Sequence, residues 1–334
     1  MPPSPLPTSS PDALRSFVAG REQLRSYLTT GSGELLCQAK RSFSAAAAFD
    51  PRFQLAIFYR SLVQAELRET GAAIDGFEQL LKAQTDLRAE VLLQLAYAHT
   101  KRYRNEDFVK AEGYLAEASQ AAQARGEKGS ELLALGESLK VFLYAVMGGH
   151  LSGDSDNLRP LYLEKAVELG EGLLKDKARM TSGEARFEVL NGLGIAYMRK
   201  GAVAADSSRQ EFWTTAESRF KEALELRPTS VRAMQNMGLL RGMQAFQARS
   251  DGAEAQAQAL FREAKDGYAK SLDLNPNDQY PHYRMAKLCA LTDDWDGAER
   301  YFASGRQYSG AVAEEEWREL RAAIDTRDAS ALTW

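Results

Sequence analysis

The sequence predicts an all-α protein, and three observations support this fold class. The chain of 334 residues contains 41 Leu but only 4 Ile and 11 Val, whereas β-branched residues favour strands. Five of its ten prolines lie within the first eleven residues, so few prolines interrupt the remaining chain. In addition, small and aromatic residues recur at spacings that place them on one face of a helix.

The recurring pattern is an Ala, an aromatic residue four positions later and a small residue three positions beyond it, often followed by Pro. Its clearest copies begin at Ala39, Ala216 and Ala264, and weaker copies, several with Leu or Gly at the aromatic or small position, begin at Ala73, Ala111, Ala166 and Ala298. Residues three and four apart share a helix face, so each copy predicts a close helix–helix contact in which the aromatic ring lies beside small residues. Seven copies predict about seven helix pairs.

Helix boundaries follow from these copies and from the turn residues between them. A final helix carries Trp317, Leu320 and Ile324 on one stripe and charged residues elsewhere, which is typical of an end cap. Residues 1–11 form a predicted disordered Pro-rich tail, and 327–334 a C-terminal tail. The predicted pairs are 12–30 with 33–48, 52–69 with 71–84, 87–102 with 106–125, 129–147 with 157–176, 182–204 with 208–226, 230–249 with 253–274, and 278–291 with 295–308, before a capping helix at 311–326.

A second pattern precedes the clearest copies. It is seen in Leu190, Leu193, Gly194 and Tyr197, and in related residues around Gly238. Taken together, the two patterns resemble the tetratricopeptide repeat, although the signature Trp of that repeat is replaced in this chain. The resemblance is most specific over 184–228, 230–276 and 278–310. It implies a right-handed α-α superhelix, which we predict as a single solenoid over residues 12–326.

Two repeats are longer than the family pattern. Gly194 and Ala216 are 22 residues apart, and Gly238 and Ala264 are 26 apart, where the standard repeat has twelve. The inserted residues are rich in strong helix formers such as Ala, Gln and Glu. We therefore predict elongated helix pairs around 198–212 and 242–260, whose extra turns form a wall along one edge of the solenoid.

Charge and residue content argue against several classes of function. A formal net charge of −4 provides no overall basic field for nucleic acid, and no apolar run is long enough to span a membrane. The two cysteines, Cys37 and Cys289, cannot form a disulfide framework or a zinc site, which favours a cytoplasmic setting.

We interpret the three histidines, His99, His150 and His282, as packing or surface residues. No catalytic motif, cofactor site or metal site is predicted, and 148–157 is interpreted as a connector and not as a calcium loop.

The predicted binding surface is the concave face, which the resemblance assigns to the first helix of each repeat. The predicted peptide-binding residues are Asn191, Arg232, Asn236, Tyr280, Tyr283, Arg284 and Lys287. The amide of Asn236 can both donate to and accept from an extended peptide backbone. Family members that bind a terminal carboxylate use two Lys, two Asn and an Arg, of which this chain matches only Asn236 and Arg284. A mildly basic groove for acidic or phosphorylated segments is a further interpretation.

The leading hypothesis is a non-enzymatic scaffold that binds a protein or peptide in its concave groove. The alternative hypothesis is a regulatory or sensor subunit that controls a separately encoded effector enzyme. The expected partner is a protein or peptide with acidic groups, and neither nucleic acid nor membrane. Self-association is left open.

Overall fold

A computed structural model describes residues 8–151, 157–204, 207–308 and 312–332 of the chain, and all its regular elements in these ranges are helical. Fifteen α-helices follow one another within them. They comprise seven consecutive pairs and a final helix, which confirms the predicted fold class. The predicted connector over 148–157 is described only in part. Gly148–His150 end a helix, and residues 152–156 lie outside the described ranges.

The described chain divides into two compact units, one of residues up to Thr30 and Glu34–Lys200, the other of Gly31–Gly33 and the residues from Gly201 onward. The single solenoid predicted over 12–326 stays a prediction. The helices before the boundary are α1 (Pro11–Thr30), α2 (Gly33–Phe49), α3 (Gln54–Glu66), α4 (Thr70–Lys82), α5 (Arg88–Thr100), α6 (Asn105–Gln123), α7 (Ser130–His150) and α8 (Arg159–Lys175). The others are α9 (Gly183–Val203), which contains the boundary, α10 (Ser208–Leu226), α11 (Val231–Ser250), α12 (Glu254–Leu274), α13 (Gln279–Leu291), α14 (Trp295–Gly305) and α15 (Glu314–Thr326).

The seven repeat sets that begin with Ala lie on the second helix of the seven pairs, and nearly all of their side chains are buried. In α10 the buried set is Ala216, Phe220 and Ala223. Close packing also explains why the first helix of this kind of pair has a small residue at the contact, as at Gly238 of α11. A Cβ at Gly238 of α11 would lie only 3.1 Å from the ring of Tyr268 on α12, so glycine permits the close approach of these helices.

Five of the turns within the pairs have a residue in the left-handed region of backbone conformation. These residues are Gly31, Arg68, Tyr103, Gly252 and Asp293, with φ between +57° and +77°. Glycine adopts this conformation without steric cost, whereas a large side chain does not. Arg68, Tyr103 and Asp293 are therefore less common residues for such turns, and the Tyr103 ring packs on His150 with centroids 4.6 Å apart.

The first unit has an aromatic core near its N-terminus. Phe17 packs against Phe43 and Phe53, with ring centroids 5.7 and 4.8 Å apart.

Thr8, predicted to be part of a disordered tail, is buried and donates a hydrogen bond to Asp50. The helix that follows begins at Pro11. Ordered structure thus begins within the predicted tail, of which residues 1–7 lie outside the described ranges.

The second unit is closed by α15. The predicted apolar stripe of this helix, Trp317, Leu320 and Ile324, is buried as expected. The Trp317 ring packs edge-on against Tyr283 of α13 at 5.2 Å and against Phe302 of α14 at 5.1 Å. Beyond α15 the chain does not form a free tail, because Leu332 is buried in the same core.

The elongated helices are confirmed in the second unit. α11 and α12 contain 20 and 21 residues, whereas α13 and α14 contain 13 and 11. Their extra turns are not a free wall, however. Ala245, Ala248 and Ala257 are buried in the core, and Arg249 donates to the carbonyl oxygen of Leu291 at 2.7 Å. The predicted wall is therefore wrong in part, since these turns pack against the end of α13.

One helical segment of the described chain, Gly126–His150, is long and apolar enough to cross a membrane by length and composition alone. Some 61% of its most apolar window is buried inside the protein. A core helix passes the same test, and the buried faces of α7 fit that interpretation. The absence of a membrane partner stays a prediction.

Candidate functional site

The predicted peptide-binding residues fall into two groups. Asn191 belongs to α9 in the first unit, where its side chain is fully buried. The other six lie in the second unit on α11 and α13, the first helices of adjacent pairs. The structure therefore gathers a candidate site on α11 and α13, to which Asn191 contributes no exposed surface.

A buried polar network holds α11 and α13 side by side. The side-chain amide of Gln235 on α11 donates to Ser271 Oγ at 2.9 Å and to Asp278 Oδ2 at 2.8 Å. Asp278 also caps α13 by accepting from the backbone N–H of Tyr280 at 3.1 Å. Because buried polar groups must be satisfied, this network fixes the start of α13 against α11. Sequence reasoning did not identify Gln235.

Arg232 and Asn236 lie one turn apart on α11, and both side chains are partly exposed. Asn236 follows the anchored Gln235 directly, so its backbone position is fixed by the buried network. The helix begins with Ser230, whose hydroxyl accepts from the backbone N–H of Ala233 at 3.3 Å. Arg232 and Asn236 therefore both lie on the first helix of their pair, and their contact with a peptide stays a prediction.

On α13 the side chains form a cation–aromatic cluster, which we call the α13 cluster: Tyr280, Tyr283, Arg284 and Lys287. Their spacing of three and four residues places them on one helix face. The Arg284 guanidinium lies over the rings of Tyr280 and Tyr283, 5.0 and 5.5 Å from their centroids. Lys287 Nζ lies 5.6 Å from the Tyr283 ring and donates to its hydroxyl at 3.4 Å.

The pKa values of the two cations in this cluster, Arg284 and Lys287, shift in opposite directions. Burial, followed by repulsion from Arg284, lowers the pKa of Lys287 from 10.5 to about 8, although Glu316 and Glu319 of α15 oppose the shift. Burial also disfavours charge on Arg284, but the surrounding Tyr280, Tyr268 and Tyr283 raise its pKa overall. Arg284 is therefore a partly exposed residue that stays charged. Lys287 is buried, and its ammonium loses its proton more readily than that of an exposed lysine.

α15 decides which part of the α13 cluster is accessible. Tyr283 is 2% exposed and Lys287 7% exposed, since Trp317 and the acidic first turns of α15 lie against this side of α13. The prediction that these two side chains and Asn191 contact a peptide is corrected accordingly, because buried side chains offer no surface. Arg232, Asn236, Tyr280 and Arg284 keep exposed surface.

A separate pocket of about 520 Å³ lies in the second unit at the end of α11 and α13. Arg249 forms one wall, fixed by two hydrogen bonds to Glu254 at 3.2 and 3.0 Å and by the ring of Phe261 at 4.7 Å. The C-terminal segment supplies the opposite wall with residues such as Arg327 and Ser330. Sequence patterns do not predict this pocket, because its walls come from segments about 80 residues apart.

The histidines take structural or surface positions. His99 is buried and its Nδ1 lies 2.7 Å from Asp107 Oδ1. His282 Nε2 donates to the carbonyl oxygen of Pro276 at 2.8 Å, and His150 is exposed. Within the described residues, no group of three or more His, Cys, Asp or Glu side chains could hold a metal ion.

Comparisons with known proteins found no matching family model and no matching curated protein. Among solved structures, the chain is similar to the yeast Sti1 TPR2AB domain in complex with an Hsp90 peptide (15% identity, 94% of this chain and 96% of that chain, TM-score 0.30). It is also similar to the human IFIT1 dimer with m7Gppp-AAAA (15% identity, 95% and 72%, TM-score 0.43). A third is yeast Tom70 (16% identity, 94% and 72%, TM-score 0.31).

The packing of the chain itself defines its class. It is an all-α helical-repeat protein whose pairs carry the small and aromatic contact positions typical of tetratricopeptide repeats, as the buried sets on the second helices show.

Proposed function

We propose that this protein is a non-enzymatic scaffold that binds an extended protein segment along α11 and α13. The observation that carries the proposal is Arg284, a partly exposed residue whose guanidinium is held over two tyrosine rings. A cation fixed in this way loses little conformational freedom when it binds a carboxylate. Arg232, Asn236 and Tyr280 extend the same surface with groups that can hydrogen-bond a peptide backbone.

The partner expected from this chemistry is a protein segment with acidic side chains. A charged hydrogen bond contributes about 1.5–3 kcal/mol and a neutral one about 0.5–1.5. Arg284 should therefore provide the preference for acidic groups, while Asn236 contributes affinity that does not depend on sequence.

The test is fluorescence anisotropy with a short acidic peptide and with the same peptide carrying Gln in place of each Glu. We expect the wild type to prefer the acidic peptide. Arg284→Ala should remove much of this preference, and added salt should weaken the Arg284 contribution because exposed charges are screened over about 8–10 Å. Asn236→Ala should weaken both peptides by about the same small factor.

Arg262→Ala, at an exposed position of α12, is the matched control and should bind like the wild type. If the Asn236→Ala/Arg284→Ala double variant binds both peptides as the wild type does, the proposed site is wrong.

A second candidate function is a regulatory subunit that senses a small ligand. The pocket of about 520 Å³ favours it, since two arginines and three carboxylates line a volume of ligand size. Arg249→Met would remove a central wall of the pocket. Loss of ligand-induced thermal stabilisation in this variant, with peptide binding intact, would favour the sensor over the scaffold.

A further inference from the structure

The pocket at the end of α11 and α13 has a buried apolar floor. Ala290 and Leu291, at the end of α13, and Leu332, from the segment after α15, line it with buried side chains. Phe246 of α11 is partly exposed and adds an aromatic ring to the lining. Its volume of about 520 Å³ lies in the range of small-molecule sites, which measure about 300–1,000 Å³. The floor therefore suits the apolar part of a small organic ligand.

One pair of charges in this pocket is satisfied within the protein. The Arg249 guanidinium donates to both carboxylate oxygens of Glu254, at 3.2 and 3.0 Å, and to the carbonyl oxygen of Leu291 at 2.7 Å. Glu254 also accepts from the amide of Gln258 at 2.7 Å. The hydrogen bonds from Arg249 and Gln258 lower the pKa of Glu254, so the pair stays ionised and carries no net charge. The charge preference of the pocket therefore depends on its other charged groups.

The other charged groups of the pocket are Asp293, Arg327 and Asp328. Asp293 lies in the turn between α13 and α14, whereas Arg327 and Asp328 directly follow α15, and all three residues are exposed. Asp328 accepts from the backbone N–H of Ser330 at 2.9 Å, and its hydrogen bonds to Ser330 lower its pKa. Within the described part of the chain, none of these three side chains belongs to an ion pair. One guanidinium and two carboxylates are thus available to a ligand.

We propose that this pocket binds a small zwitterion, namely an α-amino acid with an apolar side chain. The ammonium group of the ligand binds the carboxylates of Asp293 and Asp328, and its carboxylate binds the guanidinium of Arg327, a pairing that can form two parallel hydrogen bonds. The apolar side chain lies on the floor. The inference rests on the second candidate function, the sensing of a small ligand, and names the class of that ligand.

Ligands of other charge types fit this pocket less well. An organic cation without a carboxylate leaves Arg327 without a partner and is repelled by it. An organic anion binds Arg327 but faces the two carboxylates of Asp293 and Asp328, and like charges at close range disfavour binding. A metal ion is not expected, because the described residues contain no group of three or more His, Cys, Asp or Glu side chains that could hold one. A zwitterion alone satisfies all three charged groups.

Isothermal titration calorimetry of the full chain with L-leucine and three analogues tests the proposal. Isoamylamine lacks the carboxylate of leucine, isocaproate lacks its ammonium group, and glycine lacks its apolar side chain. We expect saturable binding of L-leucine. Each analogue should bind about tenfold more weakly or worse, because each leaves one part of the pocket without a partner.

Two variants of the full chain locate the site. Asp293→Asn and Arg327→Gly should each weaken the binding of L-leucine by about tenfold or more. Arg327 has a φ of +50°, which suits glycine, so the Tm of Arg327→Gly should equal or exceed that of the wild type and its loss of binding is not a loss of folding.

Asp273→Asn, near the end of α12, and Arg318→Gln, in the first half of α15, remove the same charges at exposed positions and should bind L-leucine like the wild type. Arg284→Ala should also bind it normally, which separates this pocket from the proposed α11–α13 site.

The proposal is overturned if L-leucine does not bind saturably, or if any of the three analogues binds as tightly as L-leucine does. Unchanged affinity for L-leucine in folded Asp293→Asn and Arg327→Gly would overturn it as well. If isoamylamine or isocaproate binds instead, and Arg249→Met abolishes that binding, the ligand class is wrong while the sensing function stands.

Discussion

At the scale of single residues, the chain shows how one helix face can carry both packing and binding chemistry. Arg284 and Lys287 lie one turn apart on α13, yet their environments differ. Arg284 keeps exposed surface above two tyrosine rings, whereas Lys287 is buried beside Tyr283 and near the carboxylates of Glu316 and Glu319. α15 lies against the side that carries Lys287, where Trp317 packs on Tyr283 and Glu316 and Glu319 lie near the Lys287 ammonium.

The burial of Lys287 predicts a pH dependence of stability. Its folded pKa of about 8 lies below its ordinary value of 10.5, so the unfolded chain binds more protons between these values. The free energy of unfolding should therefore rise as pH increases from about 8 towards 10, by up to about 1.4 kcal/mol per pH unit from this group. Below pH 8 the cost of the buried charge is present in full.

Urea denaturation at pH 7.5 and pH 9.5 measures this effect. Lys287→Met should be more stable than the wild type at pH 7.5, and the advantage should shrink at pH 9.5. Lys270→Met, at an exposed position of α12, is the control. An equal difference between wild type and Lys287→Met at both pH values would contradict the prediction.

The packing alanines allow a second prediction at this scale. Ala264 is fully buried on α12, so Ala264→Leu should overpack the α11–α12 contact and cost about 1–3 kcal/mol. Ala255→Leu, at an exposed position of the same helix, should change stability by less than about 0.5 kcal/mol. Thermal melting of both variants is the measurement, and equal Tm values would argue against Ala264 as a packing position.

At the scale of elements, the C-terminal segment after α15 is part of the packed second unit, although its sequence predicted a tail. It lines the pocket together with the ends of α11 and α13, and Leu332 is buried in the core of the second unit. The extra turns of α11 and α12 are therefore covered from two sides. This explains why Ala245 and Ala257 are buried although they lie in the elongated part of the pair.

Leu332→Ala should accordingly destabilise the second unit by about 2–4 kcal/mol, because a buried Leu truncated to Ala loses contacts and leaves a cavity. Leu226→Ala, where the side chain is largely exposed, should have a much smaller effect. Chemical denaturation of both variants tests this. A free C-terminal tail would instead give two curves that overlay the wild type.

At the scale of the whole molecule, helical repeats contact mainly their neighbours, so stability is approximately a sum of local terms. The division of the described chain into two compact units agrees with this principle. The all-helical composition also means that far-UV circular dichroism should show a helical spectrum with no strand component from the described ranges.

A core substitution should therefore act locally. Phe108 is fully buried on α6, and Phe108→Ala should cost about 3–5 kcal/mol. Hydrogen exchange should show lost amide protection in α5–α7 and near-normal protection in α12–α14. Phe261→Ala, on α12, should give the reverse pattern. Loss of protection throughout the chain in either variant would indicate that it unfolds as one cooperative unit.

The sequence by itself determined the helices, the seven pairs and the buried sets, because these depend on local periodicity. The spacing of Ala216, Phe220 and Ala223 defines a packing face wherever the helix lies. The long spacing between Gly238 and Ala264 likewise predicted the elongated α11 and α12, because inserted helix formers extend a helix in place.

The tertiary structure alone decided which faces remain exposed. Tyr283 and Lys287 occupy the same face as Arg284, yet α15, some thirty residues further along the chain, covers them and leaves Arg284 accessible. The pocket likewise joins residues that are far apart in the sequence, such as Arg249 and Ser330. Periodicity describes how one helix is patterned, whereas exposure depends on which distant segment packs against it.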